Sequence, residues 1–334
     1  LIQFGEEPTR PIEVEELIVE KCAKASITYL QVGLTHNGLG QMVGLPVMVA
    51  RGARPGPVFG ITSAVHGNEI NGIPVIHRLF EALDLLKLRG TVVGVPVVNI
   101  NGLLLGQRAF KEYMDLNTIF PGKPNGNDVQ VFAHRFSERV LCKFNYLVDL
   151  HTASFGRVNS LYVRADLTGE ITATMARLQR PEIILHNKAS DGTMRGHAMT
   201  LGIPAITVEV GNPYRFHHEY IKSTLSGLKR VLSEVGMIPK RVHSAAPPPI
   251  LCTSSYWLYA DHGGILEVAP NVTDRVEKGQ QIAKLSDIYG FPLRTYTAPE
   301  DGVVIGKSVH PVGQSGARIL HLGIEGDPAT ISRE

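Results

Sequence analysis

Three side chains able to hold a metal ion arrive at the ends of two apolar runs. In Ala64-Val65-His66-Gly67-Asn68-Glu69-Ile70-Asn71, an imidazole and a carboxylate lie three positions apart, just after residues 58–61, which read as a buried strand. A second apolar run, 146–150, ends in Asp149-Leu150-His151-Thr152 and delivers another imidazole to the end of another strand. Two nitrogen ligands and one oxygen ligand leave a fourth position open to water or substrate, the pattern of a catalytic zinc site and not of a closed structural one. Gly67 is expected to permit the sharp turn that brings residues three apart onto one ion. Asp149 is expected to orient that turn or a ligand, with loop capping as the alternative. Isolated histidines such as His77, His134 and His186 lack this company and read as structural.

A fourth acid stands out by its surroundings. Glu209 ends the apolar strand Ala205-Ile206-Thr207-Val208-Glu209-Val210, where an unpaired carboxylate is costly and needs a reason to be present. The alternative is an edge glutamate facing solvent.

The elements that must position these groups alternate from residue 58 onward: strand 58–61, helix 70–86, strand 91–98, helix 129–144, strand 146–150. In 129–144, Val129, Phe132, Phe136, Val140 and Phe144 recur at three or four residues, the core-facing stripe of an amphipathic helix. The order resumes with strands 183–185 and 205–210 and a helix from about 218 to 235. This is α/β order, implying a mixed, mostly parallel sheet flanked by helices, with ligands at the carboxyl ends of its strands. His66, His151 and Glu209 all fall there.

The segment 239–249, with Pro247-Pro248-Pro249, cannot continue a helix, so the division falls there: 1–245 as one domain and 246–334 as a small all-β domain. Beyond it, short strands are separated by turns such as Asp261-His262-Gly263-Gly264 and Glu277-Lys278-Gly279-Gln280.

With 334 residues the chain can bury a large core, and a formal net charge of +2 offers no basic stripe for nucleic acid. No apolar run is long enough to span a bilayer, and the acidic, mixed N-terminal stretch lacks the features of a secretory signal; a cytoplasmic protein acting on a small molecule is the expectation. Cys22, Cys142 and Cys252 are odd in number and far apart, without the pairing of a disulfide framework or a cysteine metal site. No P-loop or dinucleotide fingerprint is present. Gly313-Gln314-Ser315-Gly316-Ala317 only approximates a nucleophile elbow, in the β-rich tail where the strand-to-helix context is missing.

Taken together, His66-Gly67-Asn68-Glu69, Asp149-Leu150-His151-Thr152 and Val208-Glu209-Val210-Gly211 resemble the succinylglutamate desuccinylase and aspartoacylase family of the zinc carboxypeptidase clan, over roughly residues 40–235. The resemblance implies one zinc ion per subunit held by His66, Glu69 and His151, with Glu209 as the general base that relays a proton from water to the leaving amine. In Asn99-Ile100-Asn101-Gly102, Gln107-Arg108 and Met114-Asp115-Leu116-Asn117-Thr118, it matches the substrate-facing loop and assigns Arg108 to the developing oxyanion.

There the chain departs from the family, which usually carries Asp-Leu-Asn-Arg; Thr118 cannot pair bidentately with a carboxylate. Asn117 and Arg195 remain as substrate-binding candidates, Arg195 lying upstream of Glu209 as a second substrate arginine does in relatives. In the tail, Val276-Glu277-Lys278-Gly279-Gln280-Gln281-Ile282-Ala283 and Ala298-Pro299-Glu300-Asp301-Gly302-Val303-Val304 resemble biotinyl and lipoyl barrel-sandwich domains without the modified lysine. The tail is therefore expected to be structural or oligomer-forming, and to help wall the site.

The implied activity is zinc-dependent hydrolysis that removes the acyl group from an N-acyl amino acid or related small amide. The rivals are a metallocarboxypeptidase, disfavoured by Thr118, and a non-catalytic scaffold, disfavoured by the complete set His66, Glu69, His151 and Glu209.

Overall fold

The structure, a computed structural model, describes residues 10–189, 192–240 and 247–327. Its centre is a sheet of fourteen strands. From one edge the order is Ile12–Val14, Ser26–His36, Met42–Arg51, Arg89–Val95, Arg54–Ser63, Tyr146–His151, Ala205–Val210, Leu161–Ala165 and Ile183–His186. Arg54–Ser63, Tyr146–His151 and Ala205–Val210 run parallel side by side, whereas Leu161–Ala165 is antiparallel to Ala205–Val210.

Alternation along these strands makes two cores. Phe59, Ile61, Val148, Leu150, Ile206 and Val208 face the helices Gly72–Glu81, Glu170–Gln179 and His218–Glu234. On the opposite face, Leu45, Val47, Val93, Val95 and Leu147 meet Asp128–Arg139 and Met194–Thr200. A strand buried on both faces reads as a continuous apolar run, which is why 205–210 is visible in sequence to the residue. The fold is α/β as expected, a large mixed sheet with helices on both sides and β structure at the C-terminal end.

Boundaries differ where local chemistry ends an element early. The helix expected over 70–86 spans Gly72–Glu81, and the chain then turns around Asp84, whose carboxylate accepts from the backbone N–H groups of Leu86 and Lys87. The helix expected over 129–144 starts at Asp128, behind a reciprocal Asn127–Gln130 capping box. It stops at Arg139, because Val140 leaves helical geometry at φ −129°, and a 3-10 turn Leu141–Lys143 follows. The long strands Ser26–His36 and Met42–Arg51, which form an antiparallel hairpin on one side of the sheet, were not anticipated.

Part of the C-terminal region continues the main sheet. Ile250–Tyr259 pairs in parallel with Ile183–His186, and the order continues through Arg318–Glu325, Gly302–Ser308 and Arg275–Val276. Gly302–Ser308 also pairs antiparallel with the three-residue strand Arg157–Asn159. A separate four-stranded sheet is built from Pro292–Thr297, Gln281–Ser286, Gly264–Val268 and Val312–Gly313. The boundary expected between 245 and 246 lies outside the described residues. All three cysteines are unpaired, and no helix among the described residues is long and apolar enough to cross a membrane.

Candidate metal centre and substrate pocket

Parallel register brings the ends of three strands level. Glu209 lies opposite His151, and Ser63, three residues before His66, lies opposite Leu150. The chain leaves Arg54–Ser63 through Ala64 in the left-handed region at φ +50°, buried among its neighbours. Gly67 serves a different purpose from the one its sequence suggested. Its φ is not positive; a Cβ there would stand 1.9 Å from the Gly102 carbonyl carbon and 2.1 Å from the Leu103 nitrogen, so glycine lets the short helix Ile100–Leu105 press against the loop.

His66, Glu69 and His151 converge, their donor atoms all within 4.8 Å of one another and each side chain buried. Glu69 Oε1 is 2.9 Å from His66 Nδ1 and Oε2 is 2.9 Å from His151 Nδ1, while the two Nδ1 atoms are 3.2 Å apart. The far nitrogen of each ring meets its own carboxylate: His151 Nε2 is 2.7 Å from Asp149, and His66 Nε2 is 3.0 Å from Asp115. Asp149 is fixed in turn by the Thr62 hydroxyl, which donates to it at 2.7 Å.

Rings that give their Nε2 protons to Asp149 and Asp115 turn two Nδ1 lone pairs and a carboxylate toward one point, a donor set that fits a divalent cation. The titration tendencies show that this point attracts positive charge. Burial opposes protonation of His151, yet Asp149 and Glu69 outweigh it and raise its pKa well above the ordinary value. Burial likewise works against ionised Glu69, but His66 and His151 hold it below the usual carboxylate range.

Asp115 does a second task. Its other oxygen accepts from Arg108 Nε at 3.0 Å and Nη2 at 2.9 Å, and Arg108 Nη1 donates to Glu69 at 2.9 Å. The Arg108 loop is held from below by Asn99, whose side chain accepts from the Gly102 N–H at 2.7 Å and donates to the Arg108 and Ala109 carbonyls. One Nη1 and one Nη2 proton remain for a ligand.

Glu209 is buried beside this cluster, with Asn159 Nδ2 donating to it at 3.2 Å and Arg164 Nε 3.5 Å away. The solvent-edge alternative is thereby ruled out. Burial raises its pKa above the ordinary carboxylate value, although the charge of Arg164 pulls the other way. Arg164 also donates to the buried Tyr162 hydroxyl at 2.6 Å, and Tyr162 sits directly across the strand pair from Glu209.

All these groups face a cavity of about 250 Å³, a volume suited to a small molecule. Asn117 lines it and accepts from the Met194 N–H at 2.9 Å. Arg195 lines it too, buried and clamped onto Asn187, with burial lowering its pKa to about 10. Thr118 does not; it is exposed, its hydroxyl bonded back to the Asp115 carbonyl. Trp257 and Arg318 reach the same cavity from the C-terminal strands, so the tail walls the site.

Comparison with known proteins agrees with this geometry. The family model of the succinylglutamate desuccinylase/aspartoacylase catalytic domain matches residues 55–235, more than half of the chain. The chain belongs to this family. Among the family's relatives, the N-alpha-acetyl-L-2,4-diaminobutyric acid deacetylase of Halomonas elongata is 23% identical over 275 residues, 78% of this chain and 80% of that protein. Two solved structures superpose at a TM-score of 0.80. The product-bound ectoine utilization protein of Ruegeria pomeroyi is 20% identical, covering 89% of this chain and 95% of that one. A succinylglutamate desuccinylase/aspartoacylase of Rhodobacter sphaeroides is 22% identical, covering 90% and 96%. The family's fold thus extends over the C-terminal strands that its catalytic-domain model leaves out.

Sequence reasoning brought together His66, Glu69, His151, Glu209, Arg108, Asn117 and Arg195, and the structure places all of them on one cavity. It did not single out Asp115, Asn159, Arg164, Arg157, Trp257 or Arg318. Asp115 carried a signal, as the acid of the Asp-Leu-Asn segment; the others lie on β strands whose pairing no local pattern reveals.

Proposed function

We propose that this protein is a zinc-dependent hydrolase that removes the acyl group from an N-acyl amino acid or related small amide. The observation that carries the reading is the convergence of His66 Nδ1, His151 Nδ1 and Glu69 beside a separate buried carboxylate, Glu209, in a cavity of small-molecule size. His66, Glu69 and His151 would hold the zinc. When bound, zinc supplies Lewis-acid polarisation of a carbonyl and lowers the pKa of water.

The chain's own groups supply the rest. Glu209, with its pKa raised by burial, is suited to take a proton from water and pass it to the leaving nitrogen. Asn159 and Arg164 orient that carboxylate through its two oxygens. Arg108, anchored on Asp115 and Glu69, keeps an N–H on each terminal nitrogen for the oxygen that gains charge as the carbonyl is attacked. Its anchoring means that no side chain must reorganise when that charge appears. Asn117 and Arg195 are proposed to contact the substrate. Membership of a family whose relatives include a diaminobutyric acid deacetylase supports an acyl amino acid as substrate.

The test is release of free amine from a panel of N-acetyl and N-succinyl amino acids, N-acetyl diamines and short peptides, using zinc-loaded, chelator-stripped and Glu209→Gln protein. Turnover of acyl amino acids or diamines is expected, abolished by stripping, and reduced by roughly 100-fold or more in Glu209→Gln with zinc content unchanged. Turnover of peptides alone would move the assignment to a carboxypeptidase. Full activity of Glu209→Gln would remove it from the mechanism.

A further inference from the structure

Among the described residues five arginines line the pocket, and three are engaged by partners: Arg108 by Asp115 and Glu69, Arg164 by Tyr162 and Glu209, Arg195 by Asn187. The other two, Arg157 and Arg318, make no ion pair or hydrogen bond to a carboxylate among the described residues. They stand over one indole, with guanidinium carbons 5.6 Å and 5.1 Å from the Trp257 ring centre. Arg157 also lies 5.5 Å from the Phe155 ring.

The indole is itself supported. His321 stacks on it at 4.9 Å with ring planes 11° apart, and His321 Nε2 is 2.8 Å from the Ser255 hydroxyl. Two like charges sharing one aromatic ring repel each other unless an anion joins them. Burial, and after it the charge of Arg318, depresses the Arg157 pKa to about 10. Meanwhile the position where the family usually has its arginine, Thr118, is exposed and away from the cavity.

We propose that Arg157, Arg318 and the ring of Trp257 form a subsite for a substrate carboxylate remote from the scissile amide, replacing the arginine missing at Thr118. The inference rests on the reading of this cavity as an amide-hydrolase site. Arg157 comes from a three-residue strand of the N-terminal part, and Arg318 and Trp257 from the C-terminal strands, so recognition of the anion is shared across the paired edge. Arg318 is exposed, which places the carboxylate end of the substrate at the cavity mouth and the amide toward His66 and His151.

The experiment compares zinc-loaded wild type, Arg157→Gln and Arg318→Gln on an N-acetyl amino acid and on its carboxamide, which differ only in the carboxylate. The pair is built on the best substrate of the panel, or on N-alpha-acetyl-L-2,4-diaminobutyrate if the panel is silent. Wild type is expected to favour the acid. Each variant should lose roughly tenfold or more in kcat/KM on the acid, mainly through KM, and stay within about threefold on the carboxamide. Calorimetric titration of the Glu209→Gln protein, alone and with each arginine change added, reads the same contact without turnover; thermal melts confirm that the variants fold.

Acid binding that the arginine changes abolish, in a protein that hydrolyses nothing, would sustain the subsite and reject the hydrolase reading. Turnover with an acid preference unaltered in both variants would overturn the subsite and leave that reading standing. Equal binding of acid and carboxamide, or binding of neither, would also overturn the subsite.

Discussion

Glu209 is held by opposed influences: burial raises its pKa, and the guanidinium of Arg164 lowers it. Activity that needs the ionised form should therefore rise with pH through an acid limb above the ordinary carboxylate value. Replacing Arg164 by Ala removes the influence that favours the ionised form, so the acid limb of kcat/KM should move to higher pH, and a pH–rate profile checks it. An unmoved limb would mean that Arg164 is not its electrostatic partner. A companion prediction concerns Asp149, which holds the outer nitrogen of His151 at 2.7 Å. Asp149→Ala should weaken zinc affinity by roughly 10- to 100-fold, read by competition with a chromophoric chelator. Both residues show how far the sequence carried: the candidate ligands were legible because His66, Glu69 and His151 sit at strand ends in local motifs. Arg164 was not, because its significance comes from an antiparallel pairing with Ala205–Val210.

At the scale of elements, the loop after Arg54–Ser63 is tied to the loop after Ala205–Val210 by one side chain. The Asn71 amide donates to the Val210 and Asn212 carbonyls at 2.7 Å and 3.1 Å and accepts from the His217 N–H at 3.1 Å. Asn71→Ala leaves these buried groups unpaired and should cost about 1–3 kcal/mol in unfolding free energy, measured by urea denaturation. Gly67→Ala sets a methyl group against the backbone of Ile100–Leu105, for which overpacking predicts a loss of about 1–3 kcal/mol or more. Because that helix begins the loop carrying Arg108, activity should fall further than stability alone explains. A variant as stable and active as wild type would show that the helix can shift freely. The strands Arg54–Ser63, Tyr146–His151 and Ala205–Val210 and the helices Asp128–Arg139 and His218–Glu234 were legible from apolar periodicity, whereas the strand Leu161–Ala165 and the helix Glu170–Gln179 were not anticipated. The helix ends were less so, since the Asp84 turn and the break at Val140 depend on backbone choices that several sequences would allow.

For the whole molecule, the continuous sheet makes a mechanical statement. Ile250–Tyr259 and Gly302–Ser308 each pair with strands from the other side of the proline-rich segment, so the two parts should melt together. Calorimetry of the zinc-loaded protein is expected to give one transition, and two well-separated ones would contradict this. Chelation should lower the melting temperature by several degrees, since a ligand at a hundredfold excess over its Kd stabilises by about 2.7 kcal/mol. The N-terminal hairpin and the joining of the C-terminal strands to the main sheet were illegible in the sequence, as long-range pairing leaves no mark in the spacing of residues.

The strand Arg157–Asn159 is three residues long and touches the pocket at two places, Arg157 near Trp257 and Asn159 on Glu209. Side chains two apart share a face, and a slip of one residue against Gly302–Ser308 would present Val158 in their stead. Its register passes beside Gly306, where a Cβ would stand 2.4 Å from the Asn159 side chain. The C-terminal strands act on the pocket as a ruler does: many changes of residue there would pass unnoticed, but a change in the count of residues between them would exchange both ends of the site at once.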